Sequence, residues 1–196
     1  MRLIVVRHAQ PRPATTLAED GLTDRGRAQA VALGLALATL APSRVVVSPT
    51  PRATETAERA GLPFEVDAAF EKFNYGGGEV RERHQASSPL WRPGHRASPD
   101  GESLRQFHER VAAGFRGLIE GARGDEAIVV IAHGGIIQVA LRYAWGLSAD
   151  APWLAEPVTP VASITEIAFA PPLEDDQRLA TIVRLGDCAH LQGVAD

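Results

Sequence analysis

Residues 2–8, RLIVVRH, and residues 127–133, AIVVIAH, decide the fold. In each stretch, a short apolar run rich in β-branched side chains stops abruptly at a histidine. A run of this kind, without alternation of polar and apolar residues, is typical of a strand buried on both faces. We therefore predict that Leu3 to Val6 forms the first, central strand of a sheet and that Ala127 to Ala132 forms another buried strand.

Other strands and helices alternate along the chain. Because they alternate, we predict a single α/β domain over residues 1–196, a three-layer sandwich with a mainly parallel central sheet and helices on both faces. The further strands are predicted at Arg44 to Val47, Ser163 to Phe169 and Leu179 to Leu185, and the helices after Thr23, from Pro51 to Ala60, from Ser103, and from Gly134 to Leu147.

Composition and charge disfavour several classes of protein. Hydrophobic residues make up 45% of the chain and charged residues 22%, as in an ordinary globular protein. The net charge is -4, and no run of Lys or Arg indicates binding to nucleic acid or to a membrane surface. Cys188 is the only cysteine, which rules out an intramolecular disulfide and a zinc site made of cysteines. Together with the lack of a long apolar segment, this favours a cytoplasmic protein.

Four basic side chains are expected to meet at one edge of the sheet. In an open α/β sheet, ligands bind beyond the carboxyl ends of the strands. Arg7 and His8 follow the first strand, Arg52 follows residues 44–47, and His133 follows the strand at residues 127–132. Because these groups would repel one another unless an anion lay between them, and because arginine forks match phosphate oxygens, we predict a phosphoryl-binding site.

These residue types also suggest a reaction. An imidazole can accept a phosphoryl group as a nucleophile, while Arg7, Arg52 and a protonated His133 would stabilise the charge of the transition state. Two alternatives remain for the histidines, a structural role in hydrogen bonding and a zinc site. A third zinc ligand is missing, and two nearby arginines would repel a metal ion.

The ordered set of motifs resembles the histidine phosphatase superfamily, the phosphoglycerate mutase-like group with its Arg-His-Gly signature. This resemblance implies a phosphoglycerate mutase-like fold, His8 as the phosphorylated nucleophile, a phosphate pocket made by Arg7, Arg52 and His133, and chemistry without a metal or organic cofactor. The motifs that carry it are VVRHAQ (5–10), SPTPRATETA (48–57), DGESLRQFHERV (100–111), VVIAHGGIIQVAL (129–141) and LGDCAHL (185–191).

Two positions depart from the family pattern. Ala9 replaces the usual glycine, which is tolerable only if the backbone there does not need a glycine conformation. Lys72 stands where members often carry the glutamate that protonates the leaving group. Glu71, Glu79 and Glu102 are alternative proton donors, none of them preferred. A leaving group that is already acidic would need less help, and Lys72 could instead bind an anionic substrate.

Residues of about 67–101 are predicted to form an excursion that contributes to the pocket wall, since long ordered excursions are often functional. Within it, Arg81, Arg83, Arg92 and Arg96 could recognise a second acidic group or could simply be exposed. Trp91 is interpreted as an anchor. The remaining predictions are that His84, His95 and His108 lie on the surface or support a helix and that Cys188 is a packing residue.

The function predicted from the sequence is hydrolysis of a small phosphomonoester through a phosphohistidine at His8. Mutase-type transfer is the nearest alternative, disfavoured because the chain is compact. A non-catalytic phospholigand-binding protein is conceivable because of Lys72, and a metal-dependent hydrolase is a further alternative. A homodimer is possible through the apolar helices or the last two strands.

Overall fold

The computed structural model describes residues 1–13, 20–76, 92–96, 98–172 and 178–194. In these ranges the chain forms six strands and four α-helices in one α/β domain, with short 3₁₀ turns at Ala68–Phe70 and Ala189–Leu191. The elements are β1 (Arg2–Arg7), α1 (Asp24–Ala38), β2 (Arg44–Val47), α2 (Pro51–Ala60), β3 (Glu65–Val66), α3 (Leu104–Gly121), β4 (Ala127–Ala132), α4 (Gly134–Ala144), β5 (Ile164–Phe169) and β6 (Ala180–Asp187).

The described strands form one sheet in the order β3-β2-β4-β1-β5-β6. Strands β3, β2, β4 and β1 run parallel, whereas β5 and β6 are antiparallel to their neighbours. The predicted central position of β1 and the mainly parallel sheet are therefore confirmed. Because β1 and β4 pair in register, with Arg7 opposite Ala132, both strands end at the same edge.

Hydrophobic cores lie on both faces of the sheet. Leu3 and Val5 of β1 face a core shared with α3 and α4, whereas Ile4 and Val6 face a core shared with α1 and α2. All four side chains are fully buried. The uninterrupted apolar runs in the sequence thus correspond to strands covered on both sides, and the predicted three-layer sandwich is confirmed.

Local signals set the helix ends. Thr23 caps α1 by accepting a hydrogen bond from the Gly26 amide, and Ser103 forms a capping box with Gln106 at the start of α3. The predicted end of α4 at Leu147 is wrong, since the helix ends at Ala144 and Gly146 takes a φ of 67°, outside the helical region. No helix within the described ranges has the length and apolar character needed to cross a membrane.

The first part of the predicted excursion is anchored to α3. Phe70 is fully buried with its ring centroid 5.0 Å from that of Phe115. Arg110 donates hydrogen bonds to the carbonyls of Ala69 (2.9 Å) and Glu71 (3.1 Å). Residues 71–75 therefore have a fixed path beside the helix. The predictions for Glu79, Arg81, Arg83, His84 and Trp91 lie outside the described residues.

Phe70→Ala should lower the free energy of unfolding by about 3–5 kcal/mol, because truncating a fully buried aromatic ring leaves a cavity. Urea unfolding followed by circular dichroism measures the change. The control is Val66→Ala, since that side chain is exposed and its loss should cost no more than about 0.5 kcal/mol. Equal effects of the two substitutions would contradict the anchoring role of Phe70.

Candidate active site

Three strand ends are joined by backbone hydrogen bonds at one edge of the sheet. The His8 amide donates to the Ala132 carbonyl (2.8 Å), and the Ser48 amide donates to the Ile131 carbonyl (3.0 Å). These bonds place the residues that follow β1, β2 and β4 side by side. The rings of His8 and His133 consequently lie 5.1 Å apart between centroids, and both residues are more than nine-tenths buried.

Hydrogen bonds define the tautomer of His8. Its Nδ1 lies 2.9 Å from the carbonyl oxygen of Ala9. Because a carbonyl oxygen can only accept, we assign the proton to Nδ1, which leaves a lone pair on Nε2. The Nε–H group of Arg52 donates to that Nε2 atom at 3.2 Å, in agreement with the assignment. Nε2 is therefore the atom of His8 suited to attack an electrophile.

The pKa of His8 is lowered from its ordinary value to about 3. Burial is the main cause, and the charges of Arg52 and Arg7 act in the same direction, against the hydrogen bond to Ala9. A lowered pKa keeps the imidazole neutral throughout the physiological range. In this neutral form the imidazole needs no prior deprotonation before it can attack an electrophile.

Arg52 is held from two sides. It lies in the first turn of α2, where Pro51 begins the helix. Besides its contact with His8, its Nη1 group donates to both carboxylate oxygens of Asp20, each at 2.9 Å. Sequence reasoning missed Asp20. Asp20 lies three residues before the helix cap Thr23, and nothing in that local sequence indicates a site. Its partner Arg52 is 32 positions away in the sequence.

Arg7 approaches the same edge from the end of β1. Its Nη1 group donates to the carbonyl of Thr159 (2.7 Å), in the segment that precedes β5. Its Nε atom is buried and has no hydrogen-bond partner among the described residues. Burial and the charge of Arg52 lower the pKa of Arg7, while Glu156 raises it. Two arginines therefore contribute positive charge to one volume, as predicted.

His133 occupies the N-cap position of α4, but its side chain makes no capping hydrogen bond. Its Nε2 atom lies 2.9 Å from the Ser48 hydroxyl and 3.2 Å from that of Thr50, two partners that the sequence did not reveal. Its pKa is well below the ordinary value, chiefly through burial and then through the charges of His8, Arg52, Lys72 and Arg7. With no anion in the site the ring is therefore neutral, and a protonated His133 beside a bound phosphoryl group stays a prediction.

Ala9 fits the glycine position of the signature. It is fully buried, and its φ is not among the positive values found at non-glycine residues. Its amide donates to the Thr56 hydroxyl (3.1 Å), and its methyl group packs with Leu22 and Ala30. The backbone there does not need a glycine, so the extra methyl is accommodated.

Two of the predicted proton donors are engaged elsewhere or exposed. Glu102 accepts hydrogen bonds from the Asn74 amide (2.7 Å) and from Nη2 of Arg110 (2.7 Å). The Glu71 side chain is exposed, while its carbonyl accepts from Arg110. These contacts give both residues a structural place beside α3. Neither of these carboxyl groups has a contact with His8, Arg7, Arg52 or His133 in the structure.

Lys72, by contrast, lies near the cluster formed by Arg7, His8, Arg52 and His133. The adjacent Phe73 packs on Phe107 with centroids 5.4 Å apart, and a Cβ atom on Gly135 would lie 3.2 Å from that Phe107 ring. Gly135 is in the first turn of α4, directly after His133, whose pKa the charge of Lys72 helps to lower. Lys72 is also the only lysine of the whole chain.

The other predicted recognition residues lie away from this cluster. Arg96 is exposed, donates to the Gly101 carbonyl, and lines a separate cavity of about 370 Å³ with Asn74, Glu102 and Arg110. Arg92 is exposed as well. The structure thus gives neither arginine a contact with Arg7, His8, Arg52 or His133.

The remaining predicted residues have packing roles. His108 is buried, and its ring lies 6.4 Å from that of Trp153. It therefore supports α3, which is one of the two roles predicted for it. His95 is half-buried. Cys188 is half-buried too, and burial followed by the charge of Asp187 raises the pKa of its thiol, as suits a packing residue. Within the described ranges, no group of three or more His, Cys, Asp or Glu residues is arranged to hold a metal ion.

Oxyanion binding should be accompanied by proton uptake at His133. A bound dianion would attract the protonated ring and raise the pKa of His133 from its lowered value, so that binding takes up a proton and strengthens as pH falls. Calorimetric titration with tungstate in buffers of different ionisation enthalpy measures the uptake. His133→Asn should abolish it and His108→Gln should not. Uptake that is absent in the wild type, or unchanged in His133→Asn, would contradict this assignment.

Comparisons with known proteins agree with this geometry. The sequence model of the histidine phosphatase superfamily, branch 1, matches residues 3–178. A glucosyl-3-phosphoglycerate phosphatase from Mycolicibacterium vanbaalenii is 31% identical over 174 residues, covering 76% of each chain. Two solved structures share the fold: a mycobacterial glucosyl-3-phosphoglycerate phosphatase in complex with inorganic phosphate (TM-score 0.75, 21% identity, 96% of this chain and 98% of that chain) and YhfR from Bacillus stearothermophilus (TM-score 0.76, 21% identity, 97% and 98%). The chain is a member of the histidine phosphatase superfamily, branch 1.

Proposed function

We propose that this phosphatase hydrolyses a small phosphomonoester in two steps, through a phosphohistidine formed on Nε2 of His8. The observation that carries the proposal is the state of this nitrogen. It bears a lone pair, belongs to a ring that stays neutral at physiological pH, and lies 3.2 Å from the guanidinium of Arg52. A nucleophile beside a cation that binds phosphate is the arrangement that phosphoryl transfer requires.

In the first step, Nε2 attacks phosphorus as the bond to the leaving oxygen breaks. Arg7 and Arg52 offset the negative charge on the phosphoryl oxygens. Helix α4 begins directly after His133, so its N-terminal end adds partial positive charge at the same place. Ser48 and Thr50 keep the His133 ring oriented through their hydroxyl groups.

In the second step, a water molecule attacks the phosphoryl group and the His8 imidazole departs as the leaving group. The bond between phosphorus and nitrogen breaks, inorganic phosphate forms, and the water gives up a proton. At a pH above the raised pKa of the occupied site His133 is neutral, and its ring, 5.1 Å away between centroids, is the imidazole placed to receive that proton. His8 returns to its starting form because Nδ1 keeps its proton on the Ala9 carbonyl throughout.

The charges near the site suit a small substrate with more than one acidic group. Arg7, Arg52 and Lys72 supply positive charge, and Asp20 is already paired with Arg52. The relative from Mycolicibacterium vanbaalenii is a glucosyl-3-phosphoglycerate phosphatase. We propose a phosphorylated sugar or hydroxy acid as the substrate class for this chain. The cytoplasmic location and the homodimer stay predictions.

His8→Ala should reduce hydrolysis of an aryl phosphate by at least about 10³-fold, because the nucleophile is lost while the phosphate pocket remains. Steady-state release of inorganic phosphate measures the loss, and circular dichroism checks the fold. His108→Gln is the matched control, since it alters a buried histidine outside the site and should leave turnover close to that of the wild type. Turnover by His8→Ala near the wild-type rate would rule out the proposed nucleophile.

Lys72 predicts a steep dependence on the leaving group. An ammonium group stabilises a departing anion but is a much weaker acid than a carboxylic acid, so alkyl phosphates should react far more slowly than aryl phosphates. At mildly acidic pH, Lys72→Glu should lower the ratio of kcat/KM for aryl phosphates to kcat/KM for alkyl phosphates by about 10-fold or more. Steady-state kinetics with a series of esters measures this ratio.

Lys72→Glu both adds an acid and removes a positive charge. Lys72→Met removes only the charge and so distinguishes the two effects. It should weaken binding of substrates with a second acidic group without narrowing the gap between alkyl and aryl esters. If Lys72→Glu and Lys72→Met behaved alike, the side chain at this position would have no influence on protonation of the leaving group.

A further inference from the structure

We propose that Asp20 is a positioning residue, which fixes the Arg52 guanidinium so that its Nε and Nη2 groups face the phosphoryl group carried by His8. The proposal rests on the function proposed above. Asp20 itself need not touch the substrate, since its effect passes through Arg52.

The three guanidinium nitrogens of Arg52 differ in their hydrogen bonds. Nη1 donates to both oxygens of Asp20, each at 2.9 Å, and Nε donates to His8 Nε2 at 3.2 Å. Nη2 makes no hydrogen bond to any described residue. Because the Asp20 side chain is only 4% exposed and that of Arg52 18%, this pairing is largely shielded from water. A shielded ion pair holds its geometry far better than one at the surface.

Phosphoryl transfer must change the partner of Arg52 Nε. Once Nε2 of His8 is bonded to phosphorus, it can no longer accept a hydrogen bond. A phosphoryl oxygen on the same nitrogen can accept from Nε instead, and a second oxygen can accept from Nη2. The edge formed by Nε and Nη2 is a fork that matches two phosphate oxygens. With Nη1 held by Asp20, the guanidinium can exchange partners without leaving its place.

The fold fixes Asp20 relative to the helix that carries Arg52. Two residues after Asp20, the Leu22 amide donates to the carboxylate of Glu55 (2.7 Å) on α2. Arg27 of α1 donates to the same carboxylate from its Nε group (2.8 Å). The loop that bears Asp20 is therefore tied to α2, three residues along the helix from Arg52. Preorganisation of this kind lowers the reorganisation needed during the reaction.

A double-mutant cycle tests the proposal, with Asp20→Asn, Arg52→Ala and the double variant. Asp20→Asn alone should lower kcat/KM for an aryl phosphate and weaken inhibition by orthovanadate, each by about 30-fold, the range expected for a hydrogen bond between charged groups. In the Arg52→Ala background, the same substitution should change both quantities by less than about 3-fold, because the residue through which Asp20 acts is gone.

Further variants separate positioning from stability. Asp20→Glu should recover part of the loss, because it restores a carboxylate that can accept from Nη1 of Arg52. Thermal unfolding of each variant identifies any that does not fold. If Asp20→Asn does not fold, Asp20→Glu in the two Arg52 backgrounds takes its place in the cycle.

Two results would overturn the proposal. Equal losses in both backgrounds would show that Asp20 acts independently of Arg52. Tighter vanadate inhibition in Asp20→Asn would show that Asp20 competes with phosphate for Arg52. The proposed function fails separately, if the wild type turns over without a phosphohistidine while Asp20 and Arg52 still show coupling.

Discussion

Parallel pairing of β1 with β4 is the constraint on which the site depends. The two strands run in register from Arg2 opposite Ala127 to Arg7 opposite Ala132, and the His8 amide continues the ladder by donating to Ala132. Both strands are buried on both faces, so a shift of one residue would turn every core side chain to the wrong layer. The hydrophobic core therefore fixes the distance between two histidines that are 125 positions apart in the sequence.

The electrostatics of the site follow from this enforced proximity. Two arginines and two imidazoles share a buried volume, and burial lowers the pKa of both histidines so that the rings stay neutral. Asp20 offsets part of the remaining positive charge by pairing with Arg52. The neutral form of His8 is the form that the proposed reaction needs, and the cations that add to the effect of burial are those proposed to bind its phosphoryl group. The proposed nucleophile and the proposed anion site thus follow from one arrangement of side chains.

The residues that sequence reasoning found are those with local signals. Arg7, His8 and His133 follow apolar runs directly, and Arg52 follows a strand and a proline, so the topology of parallel strands was enough to bring them together. Asp20 has no such signal, because it is defined only by a partner on another element. The protonation state of His133 has no local signal for a related reason, since its pKa depends on burial and on four residues in three other segments.

The placement of the segment that carries Lys72 also depends on contacts with other elements, which local sequence signals do not reveal. Its glycines and prolines indicated a surface excursion, yet Phe70 is fully buried and Arg110 holds the neighbouring carbonyls. Such anchoring depends on a helix that starts more than thirty residues later. The position of Lys72 could be read from the family pattern, but its closeness to His133 required the tertiary structure.

The central claim is that Nε2 of His8 accepts the phosphoryl group. Rapid quenching of a single turnover with an activated aryl phosphate, followed by mass analysis of the intact protein and of its peptides, tests this claim most directly. The account predicts one acid-labile phosphoryl adduct on the peptide that contains His8, which decays as inorganic phosphate appears and is absent from His8→Ala. Turnover without an adduct, or an adduct on another residue, would contradict it.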